Sequence, residues 1–332
     1  MMLQQTTTAV VVKYFERFLK RFPTVRDLAN ASEDDVLCLW EGLGYYRRAR
    51  QLHRAAQVIV REYGGTLPQS VEHLMKLPGI GRYTAGAIVS LAFNRPAPIL
   101  EANTRRLFTR WLGVAGIKPF QKEELLWKFA EYLLPNREPG IINQALMDLG
   151  HDICLPRQPR CDACPVAKYC RSFQQGSPFN SVANKTVATR LHEVAFLAEK
   201  NGRFLMVRHA RGHRWGGLWD LPRAILAEDP SEIPSPAMLS PDLVDHAIRR
   251  TWPLRVKLVQ HFLRLRYQVT RYRVVLDCYH ARVLDSVKRF DTAIALFPAG
   301  IEECRWVPLE EAQRLPVPSS ARRIFKVWQS RH

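Results

Sequence analysis

Four of the chain's seven cysteines fall in one short stretch, with the spacing Cys154-x6-Cys161-x2-Cys164-x5-Cys170, while Cys38, Cys278 and Cys304 are scattered. In a reducing compartment so dense a cluster points to a metal rather than to disulfides. The surrounding loop must then fold back on itself to bring four thiolates together. Four thiolates hold either a zinc ion or a 4Fe-4S iron–sulfur cluster. Zinc ribbons usually pair two C-x2-C knuckles across a longer gap, and only one such knuckle exists here. Arg157, Arg160 and Lys168 lie between the cysteines and suit a loop that presents positive charge to a phosphate backbone.

That charge is general. The 332-residue chain carries a net charge of +18, which favours a polyanionic partner, nucleic acid first. A chain this long exceeds one modest core, so two domains are expected. No apolar run approaches the roughly 20 residues that span a bilayer, and the N-terminus lacks a secretory pattern. The expected location is cytoplasmic, at the bacterial nucleoid, as a soluble monomer.

The first half reads as helices. Leu125, Leu126, Phe129 and Leu133 recur at helical spacing over residues 121–134, with Glu124 and Lys128 one turn apart and Pro135 as the stop. Strand-like alternation is hardly visible before residue 190. Residues 171–186, broken by Gly176 and Pro178, have linker composition. Beyond them, two apolar runs flank Asn201-Gly202, a hairpin signal, and residues 256–283 are rich in β-branched and aromatic side chains. Short helices are expected over Pro308–Leu315 and near the C-terminus. The expected fold is therefore multidomain: an all-α domain over residues 1–172, a linker at 173–188, and an α+β domain over 189–332.

Between two helical segments, Pro78-Gly79-Ile80-Gly81 begins the string LPGIGRYTAGAI. Glycines there allow a tight turn with successive N–H groups exposed at a helix start, a cradle for phosphate.

These motifs have a family likeness. The cysteine spacing resembles the iron–sulfur loop of the endonuclease III and MutY glycosylases, and LPGIGRYTAGAI resembles their helix-hairpin-helix. MLQQT (Met2–Thr6), WEGLGYYRRARQL (Trp40–Leu52), ILEANTRRL (Ile99–Leu107) and NQALMDLGHDIC (Asn143–Cys154) are similar, in order, to segments of MutY-type adenine DNA glycosylases. The likeness implies a 4Fe-4S cluster on Cys154, Cys161, Cys164 and Cys170, with a structural and DNA-positioning role. It implies a monomer acting on double-stranded DNA that contains adenine mispaired with 8-oxoguanine or guanine. The adenosine is flipped out of the duplex and the gap filled by wedge side chains. By position the wedges are Gln5, next to Gln4, and Tyr45; Gly79, Gly81 and Arg82 meet the backbone, and Gln144 reads the adenine edge. Bifunctional relatives place a lysine just after the Gly-x-Gly-Arg segment to form a Schiff base. Tyr83 stands there and cannot form an imine, which implies a monofunctional glycosylase.

Cleavage of a glycosidic bond through an oxocarbenium-like state usually takes two carboxylates. Glu101 stands where the family has the aspartate that stabilises the sugar cation, one methylene longer, and Asn103 matches an asparagine that holds the site. The glutamate that protonates adenine directly precedes, in the family, the residue matching Met1, which is usually Val or Ile. Met1 is therefore expected to be a start assigned at an alternative codon, with a Ser/Thr-Glu pair immediately upstream. The rival expectation is a mispair-binding protein without catalysis; a third is an endonuclease III-like lyase.

RGHRWGGLWDLPRAIL (Arg211–Leu226) resembles the Nudix-like domain of the same family, which recognises 8-oxoguanine on the opposite strand. Nothing after Gly217 matches the glutamate-rich box of hydrolytic Nudix enzymes, so this domain is expected to bind without hydrolysing a nucleotide. The family's probing Phe-Ser-His string, on a strand, corresponds to Val269, Thr270 and Arg271, followed by Tyr272. Residues 246–276 hold eight Lys or Arg and no Asp or Glu, which suits DNA contact.

Overall fold

The structure, a computed structural model, describes residues 1–176, 188–284 and 297–331. Most of the expected linker, residues 177–187, lies outside the described residues. In chain order the helices before the sheet are α1 (Thr8–Arg21), α2 (Val25–Asn30), α3 (Glu33–Trp40), α4 (Arg47–Tyr63), α5 (Val71–Met75), α6 (Arg82–Ala87), α7 (Ala102–Leu112), α8 (Pro119–Tyr132), α9 (Pro139–Asp148) and α10 (Arg171–Gln174). Contacts divide the chain into two compact units: Met1, 22–30 and 51–184 form one, and 2–21, 31–50 and 185–332 form the other. In this division residues 2–21 and 31–50 group with the C-terminal part. No helix of the described residues is long and apolar enough to cross a membrane.

Among its described residues the first unit holds helices and no strand, as expected. The expected helix over 121–134 is α8, which starts two residues earlier because Pro119 occupies its first turn, where a missing N–H costs nothing. Two cores organise the unit. One packs Ala55, Ile59, Leu74, Leu77, Ala85 and Val89 from α4, α5 and the α6 region. The other packs Leu107, Phe108, Leu126, Ala130, Leu146 and Cys154 from α7, α8, α9 and the cysteine loop. The α6 and α9 helices each run into a single π-helical turn, Ile88–Ala92 and Leu149–Ile153.

The second unit holds a seven-stranded sheet: β1 (Thr189–Lys200), β2 (Arg203–His209), β3 (Trp219–Asp220), β4 (Arg223–Glu228), β5 (Val256–Val269), β6 (Tyr272–Val283) and β7 (Ile301–Pro308). The order is β3-β2-β1-β6-β5, with β4 also on β1 and β7 also on β2. Only the β1–β6 pair is parallel among these pairings. The expected hairpin is real: Asn201 (φ 50°) and Gly202 (φ 72°) turn β1 into β2. Strand β1 is buried on both faces, which explains its continuous apolar run. Leu191, Ala195 and Leu197 share one core with α12 (Leu309–Arg314) and α13 (Ser319–Gln329). Val194, Phe196 and Ala198 share the other with α11 (Pro241–Thr251).

Candidate functional site

In the first unit the glycine hairpin sits on fully buried Leu74 and nearly buried Leu77. Gly79 has φ 77°, a conformation that favours glycine, and a Cβ there would also lie 2.8 Å from Gln51 Cβ. At Gly81, by contrast, a Cβ would meet nothing within 4 Å. Gly81 caps α6 without a side-chain bond, leaving room for an anion at the helix start. The Arg82 guanidinium lies 3.9 Å from the Trp127 ring centroid, which fixes its charge beside the turn.

Glu101 is the N-cap of α7. Its Oε1 accepts the Thr104 N–H at 2.8 Å, and Thr104 Oγ1 accepts the Glu101 N–H at 2.9 Å, a reciprocal capping box. The carboxylate is thereby held through one oxygen. Tyr83 O–H donates to Met147 Sδ at 3.7 Å. Burial raises the Tyr83 phenol pKa, and the Glu101 charge raises it further. Asn103 Oδ1 accepts from Arg106 Nη2 at 3.0 Å, while Arg106 Nε donates to the Cys154 carbonyl at 2.8 Å and Nη2 also to the Gly150 carbonyl. A Cβ on Gly150 would come within 2.9 Å of Asn103 Cβ. The π-helical turn therefore presses directly on the Asn103 side chain.

Cys154, Cys161, Cys164 and Cys170 line one small cavity, with Arg110 in its wall. Arg110 is buried and donates from Nη1 to Cys154 Sγ at 3.1 Å and to the Leu155 carbonyl at 2.8 Å, and from Nη2 to the Pro156 carbonyl at 2.9 Å. Burial raises the Cys161 thiol pKa, and the other three cysteines raise it further, as expected where four thiols are close neighbours. Among the described residues no three Cys, His, Asp or Glu side chains are grouped as a site for a single metal ion.

Gln144 lies on α9 in an open groove that Ser90, Leu91, Asn94 and Ile141 also line. Its Nε2 donates to Asp148 Oδ1 at 2.7 Å, which orients the amide. Adjacent Asn143 is buried and donates to the Ala97 carbonyl at 2.9 Å, a structural role.

The second unit holds Gln4, Gln5 and Tyr45. Gln5 (φ 60°) and Tyr45 (φ 48°) are both left-handed, and Tyr45 is 54% exposed. A bulky residue in that conformation is strained unless its surroundings impose it. At the far end of the sheet, Val269 pairs with Tyr272. Thr270 (φ 50°) and Arg271 form the turn between β5 and β6 and do not lie on a strand. Arg271 Nη2 donates to Tyr272 Oη at 3.1 Å.

Two buried ionic groups in this unit were not anticipated from sequence. Asp277 is fully buried and accepts from His192 Nε2 (2.8 Å), His261 Nε2 (2.8 Å) and Arg264 (2.9 and 2.7 Å). Burial works to raise its pKa, but these donors outweigh it and pull the carboxyl down to about 2. On the opposite face, Arg223 bridges Asp220 (2.9 Å), Tyr267 Oη (2.7 Å) and Ser320 Oγ (2.9 Å), and Arg214 pairs with buried Glu193. The available signal was a lone acid inside each apolar β run, Glu193 and Asp277.

Residues 1–131 match the HhH-GPD superfamily base excision DNA repair proteins, and residues 193–327 match the NUDIX domain. The chain is 43% identical over 227 residues to an adenine DNA glycosylase of Buchnera aphidicola subsp. Acyrthosiphon pisum, covering 67% of this chain and 64% of that one. It is 42% identical over 175 residues to the adenine DNA glycosylase of Buchnera aphidicola subsp. Schizaphis graminum, covering 52% of this chain and 50% of that one. A human adenine DNA glycosylase is 29% identical across 99% of this chain and 66% of its own length. The chain thus spans between half and about two thirds of the length of these relatives.

Proposed function

Because the chain belongs to the MutY-type adenine DNA glycosylases of the HhH-GPD superfamily, we propose that it hydrolyses the N-glycosidic bond of adenine mispaired with 8-oxoguanine or guanine in duplex DNA. The observation that carries this reading is the fixed carboxylate of Glu101, held in its capping box with Thr104. Glu101 stabilises the positive charge that develops on the sugar as the base departs, while a second acid protonates the leaving adenine and water supplies the hydroxyl that the sugar gains; preorganised charge is worth most where it costs no rearrangement. Asn103, braced by Arg106 and Gly150, fixes the start of α7 that carries this carboxylate. Gln144 reads the extruded adenine, and Gly79, Gly81 and Arg82 bind the backbone. Gln4, Gln5 and Tyr45 act at the vacated stack, and Thr270 and Arg271 meet the opposite strand. Tyr83 cannot form an imine, so water takes the sugar and the strand stays intact.

Cys154, Cys161, Cys164 and Cys170 would hold a 4Fe-4S cluster. The donor set fits: four cysteines line one cavity, and the buried Arg110 guanidinium donates to Cys154 Sγ, setting a positive charge against the donor set. When bound, the cluster would cross-link the loop and hold Arg157, Arg160 and Lys168 in a fixed arrangement for a phosphate backbone. Iron and sulfide analysis should give about four of each per chain with visible absorbance; one zinc and no iron would overturn this assignment.

The test of activity is incubation with an adenine:8-oxoguanine duplex, with and without alkali. Strand breaks only after alkali are expected. Breaks without alkali mean a lyase, and binding without breaks means a mispair sensor. The Nudix-like part is proposed to bind without hydrolysis, and release of pyrophosphate from a nucleoside triphosphate with Mg²⁺ would contradict that.

A further inference from the structure

Gln5 and Tyr45 lie forty residues apart in sequence, yet one buried side chain reaches both. Arg48 Nη1 donates to the carbonyls of Met2 (2.8 Å) and Gln4, and Nη2 donates to those of Leu43 (3.2 Å) and Gly44 (3.3 Å) and to Thr6 Oγ1 (3.1 Å). Its guanidinium also stands 5.4 Å from the Tyr45 ring centroid and 5.5 Å from that of Trp40. Arg48 itself is 6% exposed.

The choice of carbonyls matters. A carbonyl of residue i−1 and the N–H of residue i share one rigid plane. By gripping the carbonyls of Gln4 and Gly44, Arg48 therefore orients the planes from which φ is measured at Gln5 and Tyr45. Those are the two non-glycine left-handed residues of this region, where Gly42 and Gly44 also take positive φ. Left-handed glutamine and tyrosine persist only where their surroundings over-determine them, and a planar five-donor fork is the side chain able to do this for two segments at once. Trp40 Nε1 also donates to the Gly44 carbonyl at 3.1 Å, so the Tyr45 side retains a support when Arg48 is lost.

We propose that Arg48 is a positioning residue that sets Gln5 and Tyr45 as one preformed pair for insertion into the base stack, its effect on DNA acting through those two side chains. This rests on the reading of Gln5 and Tyr45 as the residues that fill the gap left by an extruded base. A preformed pair presents both side chains without an ordering cost at the moment of binding. The Gln5 side depends on Arg48 more than the Tyr45 side does.

The test uses the full chain with Arg48→Met, and Arg48→Lys made alongside in case methionine does not fold; the same outcomes apply to either. Backbone hydrogen exchange is measured first, without DNA. Exchange should quicken about tenfold over residues 1–8 and less over 41–46, with α7 and α8 unchanged. Unaltered exchange in both segments overturns the proposal. Binding is then measured to a duplex with 2-aminopurine in place of the target adenine opposite 8-oxoguanine. Arg48→Met should lower affinity and the fluorescence rise about tenfold in the otherwise unaltered chain, and less than twofold in a Gln5→Ala/Tyr45→Ala background. An equal loss in both backgrounds overturns it, since the arginine would then serve only the fold. If the unaltered chain gives no fluorescence rise, it is the adenine-extrusion reading that fails, and the exchange experiment alone decides the role of Arg48.

Discussion

Glu101 caps α7 through one oxygen and on the proposed function serves the chemistry through its charge, and substitutions separate the two. Glu101→Gln retains an acceptor for the Thr104 N–H but removes the charge. Excision should fall about 10²–10³-fold with little change in melting temperature. Glu101→Ala also removes the cap, so about 1 kcal/mol of stability should go as well. If the glutamine variant keeps its rate, Glu101 is only a cap. Asp277 gives a pH prediction of opposite character, in stability alone. Its pKa is depressed to about 2 from an ordinary 3.8, so its contribution is present above pH about 4 and is lost as pH falls toward 2. That contribution is about 2 kcal/mol. Acid unfolding of Asp277→Asn, followed by circular dichroism, should lack this loss; an unchanged acid transition would remove Asp277 as its source.

At the scale of elements, the first unit's helices were legible because their apolar spacing and stops are local. The β1–β2 turn was legible because Asn201-Gly202 suits positive φ at both positions. Three features were not. The parallel β1–β6 pairing is decided by packing between distant segments. The Thr270–Arg271 turn carries no glycine, proline or asparagine to mark it, so residues 256–283 read as one β-rich stretch. The π-helical turns at Ile88–Ala92 and Leu149–Ile153 add a residue to a helical period without changing composition. Of the site, the motifs exposed Glu101, Tyr83 and the four cysteines, whereas Arg48, Arg106 and Arg110 are indistinguishable in sequence from surface charge. The second π-helical turn yields a prediction of its own. Gly150→Ala puts a methyl 2.9 Å from Asn103 Cβ and 3.1 Å from the Asn103 backbone carbon. It should cost about 1–3 kcal/mol and lower excision more than binding, as thermal melts and single-turnover rates on one preparation will show; equal losses would detach this turn from the chemistry.

For the whole molecule, the net charge of +18 predicts DNA binding that weakens steeply with salt. Arg266 and Arg273 are exposed and line one groove of the second unit. Replacing both by alanine should reduce the slope of log affinity against log salt by about two, equally for matched and mismatched duplexes. A loss confined to the mismatch would mean that they read bases. The composition of the second unit bears, finally, on how the chain is made. Residues 2–21 and 31–50 leave the ribosome well before the rest of their unit, which is complete only after β6 has paired in parallel with β1. Residues 51–184 have by then been synthesised in full and are free to fold. At ordinary elongation rates the earliest segments wait on the order of ten seconds or more, with Phe15 and Leu19 of α1 exposed even in the finished structure. The segments that bear Gln5 and Tyr45 thus emerge long before the strands of their own unit, an interval in which a chaperone would have apolar surface to hold.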